Sequence, residues 1–149
     1  MQKLDYSTNE LMAVAGSHEL QDGKVIAVGI GLPQIASVLA KHTHAPNATL
    51  ILEIGAISPV PVSSGVGIAD PRLWYKSTSL KSFVHVLGMG LHRGLIDFGF
   101  LGALEMDMYG NVNTTFIYRE DGSMRHFVGS GGANDFSSLA NHMIIMMLG

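Results

Sequence analysis

No cysteine occurs among the 149 residues. That removes disulfide frames, thiolate nucleophiles and cysteine-based zinc sites together. Charge is scarce too, at 14% of the chain against 47% hydrophobic residues. The formal net charge is −3, and Lys and Arg are scattered rather than clustered. With no basic field to neutralise phosphates or anionic lipid, the composition argues against binding nucleic acid or a membrane surface. No apolar run approaches the length of a membrane helix, and the opening MQKLDYSTNE has no signal-peptide core. The expectation is a soluble cytoplasmic protein with one domain over residues 1–149. Its interior is apolar, or its surface is partly covered by a partner.

Several catalytic patterns are also missing. VGIGLP falls between an apolar run and a helix start, where backbone N–H groups favour an anion. A dinucleotide fingerprint would need glycine where Gln34 stands, and no Gly-Lys-Ser/Thr follows to make a P-loop. His42 and His44 lie close together near a helix end, but H-E-x-x-H is absent, and His18, His85, His92, His126 and His142 are isolated. No metal site is expected. DMYGNVN mimics a calcium loop at Asp107, Asn111 and Asn113, yet Tyr118 occupies the place of the bidentate acid, so a hairpin turn is the better reading. Ser130 sits in GSGG without the G-x-S-x-G elbow of a serine hydrolase.

What is present is an alternation of helix and strand signals. STNELMAVAGSHELQDG begins with a Ser7-x-x-Glu10 capping box, carries Leu11, Val14, Ala15 and Leu20, and closes at Gly23, predicting a helix. KVIAVG reads as a short buried strand. A glycine turn, Pro33 in a first helical turn and a helix ending before Pro46 follow, then the strand ATLILEIG. Strand–helix–strand order with fully apolar strands predicts an α/β fold with a parallel sheet buried on both faces. Residues 56–79 read as loop. Val112–Tyr118 and Met124–Val128 read as strands with turns at YGN and REDGS. GSGGAND is a glycine turn ahead of another helix, and MIIMML near the end reads as a core strand that something must cover.

Glu53 is the residue that does not belong. It ends the run TLIL, and an unpaired carboxylate buried there would be costly. A strand-end acid is commonly a rim or ion-paired residue. The carboxyl end of a parallel strand is nevertheless where α/β folds place their sites.

Four blocks, VGIGLPQIASVLAKHTHAPN, LILEIG, GALEMDMYGNVNTT and GSGGAND, occur together in an order and spacing that resembles the β subunit of class I coenzyme A transferases. The glutaconate CoA-transferase type is the nearest likeness. The resemblance spans nearly the whole chain, and family β subunits run beyond this carboxyl terminus. It implies a CoA-transferase-like fold: a mostly parallel sheet flanked by helices in open α/β/α layers, shortened at its C-terminal end. It also implies that Glu53 is the catalytic glutamate. That carboxylate attacks an acyl-CoA thioester and becomes in turn a mixed anhydride and a glutamyl-CoA thioester, in a ping-pong exchange with a free acid. Coenzyme A and acyl-CoA are then substrates, with no permanently bound cofactor, and an α subunit is the implied partner. Gly29 and Gly31, with Gly131, Gly132 and Ala133, would surround the reacting carbonyl as oxyanion and thioester donors.

The chain departs from the family pattern at Ile54, where a small polar residue is usual, and at Ala27, where relatives acting on 3-oxoacids carry Asn. Glu105 replaces a usual Gln. A hydrolase or decarboxylase on the same scaffold is the alternative activity, against which the presence of Glu53 counts. A non-catalytic assembly module is the third reading, suggested by the short chain and its apolar end.

Overall fold

The computed structural model describes residues 5–60 and 67–147. Helix α1 (Thr8–His18) starts on the expected box: the Ser7 side chain accepts the Glu10 N–H at 3.3 Å, while the Ser7 N–H donates to Glu10 Oε2 at 2.7 Å. Strand β1 (Val25–Val28), helix α2 (Leu32–His42) and strand β2 (Thr49–Leu52) follow. Pro33 occupies the first turn of α2, where its missing N–H would have had no helical partner anyway.

The short strands β3 (Ala56–Ile57) and β4 (Ser79–Leu80) come next, separated by a 3₁₀ turn at Pro71–Trp74. A π-helix covers His85–Leu91 and leads to β5 (Phe98–Gly102). Strands β6 (Glu105–Met106), β7 (Val112–Asn113), β8 (Phe116–Tyr118) and β9 (Met124–His126) form two small hairpins. Helix α3 (Ala133–Leu139) and strand β10 (His142–Met146) complete the described chain.

The main sheet has six strands in the order β10-β5-β1-β2-β3-β4. Strands β10, β5, β1 and β2 run parallel, and β3 and β4 extend the sheet antiparallel. Side chains alternate between two cores, as strand pleating requires. Ile26, Val28, Leu50, Leu52 and Phe100 pack with Ala36 and Ala40 of α2 on one face. Ala27 and Ile51 pack on the other face with Val86, Leu87 and Leu91 of the π-helix and Phe136 of α3. The α/β/α layering read from the sequence is therefore what forms. No helix among the described residues is long and apolar enough to cross a membrane.

Two local expectations need correcting. The stretch 56–79 is not all loop, since it carries β3, the 3₁₀ turn and β4; residues 61–66 within it lie outside the described chain. The run Val112–Tyr118 is two strands rather than one. Asn113 breaks it, accepting the Thr115 N–H on Oδ1 at 3.0 Å and donating from Nδ2 to the Phe116 carbonyl at 2.8 Å, a local bond that competes with the sheet ladder. In α1 the large apolar side chains Leu11 and Val14 point outward, 51% and 44% exposed, while Ala13, Gly16 and Ser17 are buried. The MIIMML run does form a strand, β10, but at the sheet edge with β5 as its neighbour; its Leu148 lies outside the described residues.

Candidate active site

Glu53 stands at the first of the two central positions of a tight turn that ends β2. The turn is closed by the Gly55 N–H, which donates to the Leu52 carbonyl at 2.9 Å. Only glycine fits at residue 55. Its φ is +112°, and a Cβ there would lie 1.8 Å from the Lys81 carbonyl oxygen. The Lys81 N–H in turn donates to the Gly55 carbonyl at 2.9 Å, so the turn is fastened to the antiparallel end of the sheet. Pleat alternation explains the direction of the carboxylate. Leu50 and Leu52 enter the α2-side core and Ile51 the other, which sends Glu53 to the face carrying the π-helix and α3.

There the second glycine turn meets it. The Gly132 N–H donates to Glu53 Oε2 at 3.2 Å. A Cβ on Gly132 would fall 2.6 Å from Oε2, 3.2 Å from the Phe136 ring and 3.4 Å from Leu87. A Cβ on Gly131 would approach Oε1 to 3.6 Å. The half-buried carboxylate is thus laid against bare backbone, and it has no ion-pair partner among the described residues.

The remaining residues singled out from sequence are placed differently. The Gly29 N–H donates to the Phe100 carbonyl at 2.8 Å, continuing the sheet, and the Ala133 N–H donates to the Ser130 carbonyl at 2.7 Å. Both amides are committed to backbone. Gly31, at φ +84°, caps α2 and accepts the Ile35 N–H on its carbonyl at 3.2 Å. Among the described residues neither Gly29 nor Gly31 bonds to Glu53, and the N–H groups of Gly31 and Gly131 make no hydrogen bond.

The other polar motifs are structural. Asp107 accepts the N–H groups of Tyr109 and Asn111, each at 2.9 Å, and the Asn111 side-chain amide at 2.7 Å, closing the hairpin turn. These bonds, the Asn111 side chain foremost, hold its carboxyl below the usual range. His44 stacks on His18 with ring centroids 5.3 Å apart and reaches the carbonyls of Ser17 and Leu20, tying α2 to the end of α1. No group of three or more His, Asp or Glu residues positioned for a metal occurs among the described residues.

Residues 9–149 match the family described as coenzyme A transferase. The chain belongs to that family. It is 37% identical over 142 residues to the B-type subunit of the 3-oxoadipate CoA-transferase of Pseudomonas knackmussii. It is 32% identical over 146 residues to the B-type subunit of the glutaconate CoA-transferase of Acidaminococcus fermentans. Each alignment takes in 95% of this chain and 55% of the relative, so the chain spans about half the length of either. The crystal structure of the Acidaminococcus fermentans glutaconate enzyme superposes with a TM-score of 0.84, covering 96% of this chain and 56% of that one. The decarboxylase AibA/AibB, at 24% identity and a TM-score of 0.80, shares the fold.

Within this coenzyme A transferase fold the three departures acquire places. Ile54 packs against the α2-side core and so turns away from the carboxylate's face. Ala27 is fully buried in the cluster that also holds Leu87 and Phe136, the two side chains that follow Glu53 in closeness to a Cβ at Gly132. Glu105 is exposed and accepts the Asn113 side-chain amide at 2.9 Å across the β6–β7 pair, a bond that Gln would also accept. Sequence reasoning missed the turn glycine Gly55, its clasp by Lys81, and the π-helix that brings Leu87 to the site. Only Gly55, two residues after the acid, left a signal.

Proposed function

We propose that this chain is the β-type part of a CoA-transferase that moves coenzyme A between an acyl-CoA and a free carboxylic acid, with Glu53 as nucleophile. The observation that carries this reading is the laying of Glu53 against Gly131 and Gly132 at the end of a parallel strand. The Glu53 carboxylate attacks the thioester carbonyl, the C–S bond breaks, and a mixed anhydride and CoA thiolate result. The thiolate then attacks the Glu53 carbonyl, the donor acid leaves as its carboxylate, and a glutamyl-CoA thioester remains. The acceptor carboxylate runs the same steps in reverse. One thioester replaces another, so the exchange is close to isoenergetic and consumes no ATP.

The two kinds of attack need separate oxyanion donors. When the Glu53 carbonyl itself is attacked, the developing charge sits on an oxygen already beside the Gly132 N–H. When the acyl carbonyl is attacked, the uncommitted N–H groups of Gly131 and Gly31 are the backbone donors left to meet it. A carboxylate is a weak nucleophile in water, and the apolar side chains of Leu87 and Phe136 beside Gly132 desolvate one side of it. An α-type subunit completes the enzyme, as the names of the two-subunit relatives suggest. The reading is tested by Glu53→Gln in the assembled enzyme. Wild type should gain the mass of CoA less one water at Glu53 after incubation with acyl-CoA, and the variant should show neither the adduct nor exchange. Undiminished exchange by Glu53→Gln would remove the proposal.

A further inference from the structure

Beside the turn that holds Glu53 stands a cation that the carboxylate does not pair with. Strands β3 and β4 set Ala56 against Leu80 and Ile57 against Ser79. The Lys81 N–H bond to the Gly55 carbonyl carries that ladder one residue further, so Lys81 lies opposite the turn glycine. Pleating fixes its face. Ile57 packs with Ile51, Leu87 and Phe136; Ser79 shares that face as the partner of Ile57, and Lys81 follows Ser79 by two. It is the face to which Glu53 turns. The other lysines on the sheet side are engaged: Lys24 pairs with Asp97, and Lys41 donates to the carbonyls of Pro46 and Ala48. Lys81 is exposed and, like Glu53, makes no ion pair among the described residues. Its ammonium therefore stands more than 4.0 Å from the carboxylate.

CoA exchange brings two kinds of anion to such a charge. The phosphates of CoA are held far from its sulfur by a long neutral arm, and a lysine fastened to the nucleophile's own turn is too close in to meet them. The other anion is a carboxylate. The reacting carboxylate has to press against Glu53 itself, whereas the ammonium is set back from that point. We infer that Lys81 binds a second carboxylate, at the far end of the acid or of its acyl group, and so selects diacids over monoacids of equal length. The inference rests on the CoA-transferase reading. Lysine suits the task, because a point charge on a flexible four-carbon stem can follow the end of a chain, and its contact with carboxylate is charge-assisted.

The test uses the enzyme assembled with its α-type subunit, one acyl-CoA donor held constant, and glutarate or valerate as acceptor. Wild type should prefer glutarate in kcat/KM. Lys81→Ala keeps the main-chain bond to Gly55, and it should shrink that preference by about five- to fiftyfold, the range of a charge-assisted contact discounted for exposure. The loss should fall chiefly on the KM for glutarate, and Lys81→Arg should keep most of the preference. A wild type indifferent to the second carboxylate, an unchanged preference in Lys81→Ala, equal losses with both acids, or arginine no better than alanine would each overturn the assignment. A second arm needs no turnover. Acetic anhydride labelling of Lys81, read by mass spectrometry, should be slowed by glutarate and not by valerate; equal labelling with either acid counts against the proposal. That arm judges Lys81 separately from the fate of Glu53→Gln.

Discussion

The amide of Gly132 and the carboxylate of Glu53 are 79 positions apart in the chain and 3.2 Å apart in space. Their contact depends on the absence of a side chain, since a Cβ at residue 132 would stand 2.6 Å from Oε2. The backbone does not demand glycine there, because φ is −79°, open to any residue. Gly132→Ala should therefore spare the fold and damage the chemistry. By pushing the carboxylate off its donor it should lower kcat by about 10²–10³-fold, the usual cost of losing one oxyanion donor. The thermal midpoint should move by only a few degrees, as roughly 1 kcal/mol of crowding implies. Steady-state kinetics beside calorimetry check both halves.

Gly55 presents the opposite case. Alanine there meets a positive φ of +112° and the Lys81 carbonyl oxygen at 1.8 Å. Backbone, unlike a side chain, cannot step aside. Gly55→Ala should cost at least about 2 kcal/mol of stability and unfasten the turn that aims Glu53. A midpoint within a degree of wild type would show that the clasp between residues 55 and 81 is unimportant.

How much of this was readable beforehand follows from the range of each interaction. The capping box, the proline in the first turn of α2 and the apolar strands β1 and β2 are set by near neighbours, and they form where the sequence places them. Glu53 stood out because a carboxylate ended an apolar strand, again a local signal. The partner that receives it was named only through family resemblance, because no local pattern links residue 53 to residue 132. Gly29 shows the limit of a glycine motif. Its position in the turn suggested a free donor, whereas the parallel pairing of β1 with β5 directs its N–H to Phe100.

Asp97 gives a stability prediction with a sign. Its Oδ2 accepts the Val25 N–H at 2.9 Å and its Oδ1 meets Lys24 Nζ at 3.2 Å. The Val25 amide chiefly, opposed by partial burial and aided by Lys24, holds the carboxyl below its ordinary value. A folded-state pKa below the unfolded one contributes stability above the unfolded value, about 3.9, which is lost as pH falls through the lower folded value. Asp97→Asn should be less stable than wild type by about 1–2 kcal/mol at neutral pH, a figure discounted for partial exposure. The gap should narrow below about pH 4. Thermal melts of both proteins across pH 3–8 decide it, and a gap that stays constant would exclude the carboxylate as its source.

Helix α1 supplies the last prediction, because there the obvious hydrophobic reading fails. Leu11 and Val14 look like core positions, yet both are exposed, and the helix approaches the sheet through Gly16 instead. A Cβ at residue 16 would lie 2.9 Å from the Phe100 ring and 3.3 Å from the end of Met146. Close approach of helix to sheet, not side-chain volume, builds this contact, so the small residue carries the energy. Gly16→Val should destabilise by about 1–3 kcal/mol, the range for overpacking a filled core. Leu11→Gln should stay within about 0.5 kcal/mol, as surface changes do. Denaturant midpoints of the two variants order them directly, and a larger loss at Leu11 would show that α1 is rotated from the position described.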